Sequence, residues 1–129
     1  MAPREATPTK GLWLSPIDLA ATAGHIPLVF FYSPGAAFSN VARLKEAMAK
    51  ALVAFYPLAG RLGVDDDGRV EITCNGEGAV FVVARADLTV DDIKDDFKPA
   101  PELRRLFVPR IEPTSVILAV QVSKTSLAF

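Results

Sequence analysis

The sequence has one cysteine and one histidine in 129 residues. A lone thiol, Cys74, excludes an internal disulfide. No metal-ligand cluster is visible either, so no metal is expected. Excess charge of one sign is also missing. The 14 basic and 15 acidic residues give a net charge of −1. There is no basic stripe with interleaved aromatics, so no nucleic-acid partner is expected. No apolar run approaches the roughly 18 residues that span a bilayer, and no membrane partner is expected. Met1–Lys10 carries Arg4, Glu5, Pro3 and Pro8 and has no apolar centre, unlike a secretory leader. The cytoplasm is the expected compartment.

What is present is apolar. Half the residues are hydrophobic and 22% are charged, which argues against disorder and for a single domain over residues 1–129. No internal repeat or second domain boundary is visible. The chain is organised around Leu44–Leu62, LKEAMAKALVAFYPLAGRL. Val41, Leu44, Met48, Ala51, Leu52 and Phe55 fall on one stripe about 100° wide at helical pitch. Arg43, Glu46 and Lys50 face the other way. Ser39 or Asn40 caps this helix, expected over Ser39–Phe55. Pro57 stops it and excludes Tyr56 from the helical region. Gly60 then turns the chain into a strand at Arg61–Val64.

The remaining elements follow from turn chemistry and alternation. Met1–Gly11 reads as extended or mobile. Trp13 reads as a core aromatic. Val29–Tyr32 reads as a buried strand, with Leu28 and Phe30 on one face and Val29 and Phe31 on the other. Arg61–Val64 and Arg69–Thr73 flank Asp65-Asp66-Asp67-Gly68 as a hairpin. Gly78–Ala86 and Ser115–Ser123 read as strands, and Thr89–Asp96 and Glu102–Leu106 as short helices.

Several stretches, in order, resemble the plant BAHD acyl-CoA-dependent acyltransferases, the hydroxycinnamoyl transferases in particular. Leu12–Leu19 (LWLSPIDL) is similar to the family's LWLSNxDL, and His25–Pro34 (HIPLVFFYSP) to HTPxVYFYRP. Ala51–Leu62 resembles LxxYPLAGR, and Cys74–Val82 (CNGEGAVFV) resembles CNGEGVLFVEA. Glu102–Leu106 is similar to ELRRL and Ser115–Ser123 to LLVLQVT. The resemblance covers roughly Leu12–Ser123, the front of a family protein. It implies an α/β fold: a partial chloramphenicol-acetyltransferase-like domain, in which one long amphipathic helix packs on a mixed β-sheet. It also implies acyl transfer from a CoA thioester to a hydroxyl or amine acceptor. Acyl-CoA is then co-substrate, with no bound cofactor.

By that resemblance Leu28 and Phe30 stand where hydroxycinnamoyl transferases carry a serine and a tyrosine lining the acyl pocket. Both hydroxyls are absent here, so these positions offer an aromatic ring no hydrogen bond. The family's general base is the histidine of His-x-x-x-Asp. His25 has Val29 four residues on, so no catalytic residue is assigned and the chain is expected to be inactive alone. A truncated enzyme, an incomplete gene model and a non-catalytic module binding a small molecule or a partner remain open. So does self-association through uncovered apolar surface.

Other combinations carry less. A Cys74–His25 nucleophile pair has no sequence rule bringing it together. Counting from Asp65, the twelfth position of a calcium loop would be Gly76 rather than glutamate. Gly76-Glu77-Gly78 enters a strand, unlike a dinucleotide fingerprint. Lys45 and Lys50 read as a solvated helix face.

Overall fold

Small strands and short helices alternate along this chain, giving a mixed α/β structure. The computed structural model describes residues 1–21, 24–32, 40–88, 101–112 and 114–125. Its strands are β1 (Gly11–Trp13), β2 (Arg61–Val64), β3 (Val70–Thr73), β4 (Val80–Ala86) and β5 (Ala119–Thr125). Its α-helices are α1 (Pro16–Ala20), α2 (Val41–Ala54) and α3 (Pro101–Phe107). The helix expected over Thr89–Asp96 lies outside the described residues, as does Ser39.

Asn40 caps α2: its side-chain oxygen accepts from the Arg43 amide at 3.2 Å, satisfying a donor that the first turn leaves orphaned. The helix breaks at Phe55 rather than at Tyr56. Tyr56 instead opens a 3-10 turn, Tyr56–Ala59. Pro57 sits early in that turn, where its missing N–H is not needed. The apolar stripe is covered in its middle. Leu52 is buried with Ala59 and Ala79, and Met48, Leu118 and Met1 pack around them. Phe55, expected on the same stripe, is 63% exposed.

The Asp65–Gly68 hairpin forms as its turn residues dictate. Asp65 N–H donates to the Arg69 carbonyl at 2.8 Å, and Gly68 N–H to the Asp65 carbonyl at 2.9 Å. Gly68 takes φ of 78°, a left-handed value that favours glycine. β2 and β3 pair antiparallel from Arg61↔Thr73 to Val64↔Val70. β1 adds antiparallel to the other edge of β3, giving the order β1-β3-β2. Trp13 therefore lies on an edge strand and is 64% exposed, which corrects its reading as a core residue.

β1 was not expected, and the strands do not form one sheet. β4 and β5 make a separate parallel pair, Val80↔Ala119 through Ala86↔Thr125. The two sheets are stitched by an isolated bridge, Arg61↔Val116. A hydrogen bond from Leu62 N–H to the Ser115 carbonyl (2.9 Å) reinforces it. That bridge accounts for the late start of β5, expected from Ser115. Met1–Lys10 is extended and tied down: Arg4 N–H reaches the Ala49 carbonyl (3.0 Å) and Cys74 N–H the Lys10 carbonyl (2.9 Å).

Val29–Tyr32 is neither a strand nor buried, contrary to expectation. A strand needs a neighbour to satisfy its amides. Residues 26–30 make no intramolecular hydrogen bond among the described residues. No helix of the described residues is long and apolar enough to cross a membrane.

Candidate functional site

The segment that carries Leu28 and Phe30 is pinned at both ends. At the front, the His25 Nε2 bonds to the Val116 carbonyl. A carbonyl only accepts, so Nε2 carries the proton and is not free to take one from a substrate. At the back, the Phe31 ring meets Phe107 of α3 edge to face, with centroids 5.9 Å apart and planes at 78°. Between the pins, Leu28 and Phe30 are 73% and 71% exposed, while Val29 is 40% exposed. The expected alternation holds only in part: Leu28 and Phe30 are exposed and Phe31 is half-buried, but Val29, expected on the inner face, is exposed as well. Neither Leu28 nor Phe30 lies in a closed cavity.

Val116, which receives His25, is itself held by Arg61. The Arg61 main chain bridges Val116, and its side chain, 18% exposed, gathers the next loop. Its Nη1 donates to the Gly60 and Gly78 carbonyls, each at 2.7 Å. Its Nε lies 3.1 Å from the Glu77 carboxylate. Asn75 holds Glu77 from the other side, Nδ2 to Oε1 at 2.7 Å. Gly78 N–H returns to the Ala59 carbonyl at 2.8 Å. Gly78 takes φ of 98°, and a Cβ there would run into the Met1 carbonyl. One guanidinium thus ties Ala59–Arg61 to Glu77-Gly78, beside the residue that seats His25. Sequence reasoning missed this role. The available signal was an arginine flanked by a glycine and an apolar residue, a position that leaves its charge inward unless paired.

The other suggested chemistry is not assembled. His25 makes no ion pair with a carboxylate among the described residues, and it bonds Val116 rather than Cys74. Cys74 is free and buried. Burial pushes its thiol up, Lys10 partly opposing and Glu71 adding to the shift. A raised thiol value favours the neutral form in the folded state. Stability is therefore expected to be intact below the ordinary thiol value of 9.0 and to fall as pH rises through the higher folded value. Native alkylation should be far slower than in denaturant. Equal rates at pH 8 would refute the buried thiol.

Asp65 and Asp67 serve the turn. Asp65 Oδ1 accepts from the Asp67 and Arg69 amides, and Arg69 Nη2 bonds Asp67 at 2.8 Å. No group of three or more metal-binding side chains occurs among the described residues. Lys50 is solvated and pairs with Glu46 at 3.3 Å. Lys45, by contrast, lies 5.7 Å above the Phe81 ring centroid of β4, a cation–π contact. An open depression of about 360 Å³ is lined by Arg4, Glu5, Lys50, Val53 and Ala54. None of the residues pinned around Leu28 and Phe30 reaches it.

Comparison with known proteins agrees with the stretches that meet at this junction. The family model described as Transferase family matches residues 1–127. Putrescine hydroxycinnamoyltransferase 2 of Oryza sativa subsp. japonica is 47% identical, over 95% of this chain and 42% of its own length. A hydroxycinnamoyltransferase of Narcissus pseudonarcissus is 50% identical, over 85% of this chain and 26% of its own. Shikimate O-hydroxycinnamoyltransferase of Nicotiana tabacum is 48% identical, over 85% and 25% respectively. The chain thus spans between a quarter and somewhat over two-fifths of these relatives.

Proposed function

We propose, from the premise that this chain belongs to the Transferase family of plant BAHD acyltransferases, that it supplies one wall of an acyl site. In that reading Leu28 and Phe30 receive the aromatic acyl group of a hydroxycinnamoyl-CoA. The acceptor's hydroxyl oxygen or amine nitrogen attacks the thioester carbonyl. A new C–O or C–N bond forms, the C–S bond breaks, and the acceptor proton leaves with the CoA thiol. Residues 1–129 then form the front part of a larger chloramphenicol-acetyltransferase-like domain working in the cytoplasm.

The carrying observation is the outward pair, Leu28 and Phe30, on a segment fixed by His25–Val116 and Phe31–Phe107. A fixed apolar face can orient a planar ring by contact alone. It gives the phenolic end no polar partner, so selection among ring substituents falls to other residues. The chain's one histidine, His25, has Val29 rather than an aspartate four residues on, which supports a second part of the reading: the 129-residue chain does not turn over by itself. A non-catalytic binding role for the isolated chain is favoured by the same two facts.

The test has two arms. The isolated chain, given a hydroxycinnamoyl-CoA with putrescine or with shikimate, is expected to release no CoA thiol above the buffer rate. Turnover would refute inactivity. In the second arm the chain replaces the matching segment of the rice putrescine relative. That chimera is expected to be active. Phe30→Asp in it should lower kcat/KM for the acyl donor by about ten- to a hundredfold, the scale of a lost apolar pocket contact. An unchanged value would remove Phe30 from the site.

A further inference from the structure

Of the chain's two asparagines, Asn40 is followed by Val41 and Asn75 by Gly76. Asparagine is a labile residue, because the next main-chain nitrogen can attack its carboxamide. A branched neighbour screens that nitrogen and glycine does not. Asn75 is exposed. The Gly76 N–H makes no hydrogen bond among the described residues. A Cβ added to Gly76 would meet, beyond its chain neighbours, only the Thr7 hydroxyl at 3.7 Å. At Asp67-Gly68 the same nitrogen is occupied, since Gly68 N–H donates to the Asp65 carbonyl at 2.9 Å. We propose that Asn75 is a site of spontaneous deamidation, and that its product loosens the Arg61 clasp at Glu77.

The carboxamide is already folded back on the chain. Its Oδ1 accepts from the Glu77 N–H at 3.2 Å, and its Nδ2 donates to Glu77 Oε1 at 2.7 Å. A side-chain oxygen bonded two residues on carries the side chain past the residue between, here Gly76. Little freedom is then left to lose when the ring closes. Hydroxide takes the Gly76 amide proton, and the nitrogen attacks Asn75 Cγ. A new N–C bond forms and the Cγ–Nδ2 bond breaks. Ammonia leaves with a proton from water, which restores the hydroxide. Water then opens the five-membered imide on either side. One opening gives aspartate at position 75, and the other gives isoaspartate, with the main chain routed through the side-chain carbon. The net change is a gain of water and a loss of ammonia.

Either product puts a carboxylate where a donor stood. The bond from Nδ2 to Glu77 is lost, and two like charges face each other. Among the described residues Glu77 is then held by Arg61 Nε alone, at 3.1 Å. The isoaspartate form also lengthens the link between β3 and β4, on which Gly78 reaches Ala59. None of this rests on the acyl-transfer reading.

Ageing the 129-residue chain in mildly alkaline buffer tests the proposal, read by peptide mass spectrometry and isoaspartate-specific methyl labelling. The peptide holding Asn75 should gain mass in proportion to hydroxide, at least about tenfold faster than the peptide holding Asn40. No opening step precedes the attack, so the native rate should lie within about tenfold of the rate in guanidinium chloride. At Asp67-Gly68, isoaspartate formation in the native chain should fall further below its own rate in denaturant. Asn75→Gln keeps a carboxamide but needs a larger ring, and should abolish the change. Asn75→Asp sets the product's charge in place without ageing. It should lower the urea midpoint, and less so in a Glu77→Gln background. The ageing of the unsubstituted chain decides even where a variant does not fold. Asn75 intact in the native chain while it reacts in denaturant overturns the proposal. So does an equal rate at Asn40, or an Asn75→Asp midpoint shift that is absent or the same in both backgrounds.

Discussion

Arg61→Ala is expected to destabilise the chain by about 3 kcal/mol, seen as a lower urea midpoint at unchanged slope. The guanidinium serves the Gly60 and Gly78 carbonyls at 2.7 Å each and the Glu77 carboxylate at 3.1 Å. Truncation leaves two carbonyls without their charged donor. Hydrogen bonds to charged groups contribute about 1.5–3 kcal/mol each, but partial access of water offsets some of that loss. Lysine should recover little. Its single ammonium nitrogen cannot span three acceptors arranged for a planar fork. The damage should also reach His25, since Arg61 bridges the residue that seats it. The His25 ring resonances are therefore expected to move in Arg61→Ala, and a loss under about 0.5 kcal/mol would refute the clasp.

Leu52→Ala should cost as much or more, about 3–4 kcal/mol. Among the described residues the buried hydrophobics are Leu52, Ala59, Cys74, Ala79, Ala86 and Val116, and only Leu52 and Val116 are large and nearly fully buried. Leu52 fills the space between α2, the 3-10 turn and the lead into β4. Its neighbours Ala59 and Ala79 have no side-chain length with which to close a cavity. A domain of this size has on the order of 5–15 kcal/mol in all, so the variant should lose a large part of its stability. Thermal unfolding followed by circular dichroism measures it. Leu52→Met keeps most of the volume and should cost less than about 1.5 kcal/mol. Equal losses for alanine and methionine would show that volume is not what Leu52 supplies.

Features fixed by neighbours in sequence were the legible ones. The Asp65–Gly68 turn and the cap at Asn40 each depend on residues within four positions, and β2 pairs with the strand just across that turn. Trp13 and Val29–Tyr32 were misjudged for one reason. Composition says that a residue prefers to be covered; only the tertiary arrangement says whether a cover exists. β1 ended at a sheet edge, and residues 26–30 found no neighbouring strand among the described residues. Ser15 and Asp18 stand at the spacing of a reciprocal cap, a signal as local as the turn. Ser15 N–H and Oγ both reach the Asp18 carboxylate, at 2.9 and 2.7 Å, and the hydroxyl bond first of all holds that acid below its usual range. The pair Leu28 and Phe30 came from resemblance alone. Its exposure matches alternation only in part, and the Arg61 clasp joins segments too far apart in sequence for spacing to reveal it.

The parallel pairing of β4 with β5 has a temporal side. Val80 waits for Ala119, about forty positions later, and closing a loop of that length precedes any reward from the ladder. During synthesis at about 5–20 residues per second, β4 emerges roughly two to eight seconds before its partner. For that interval Val80-Phe81-Val82-Val83 has no β5 to pair with. Nascent chains paused between these strands should therefore be unusually sensitive to protease and avid for chaperones, and that sensitivity should drop once β5 clears the ribosome.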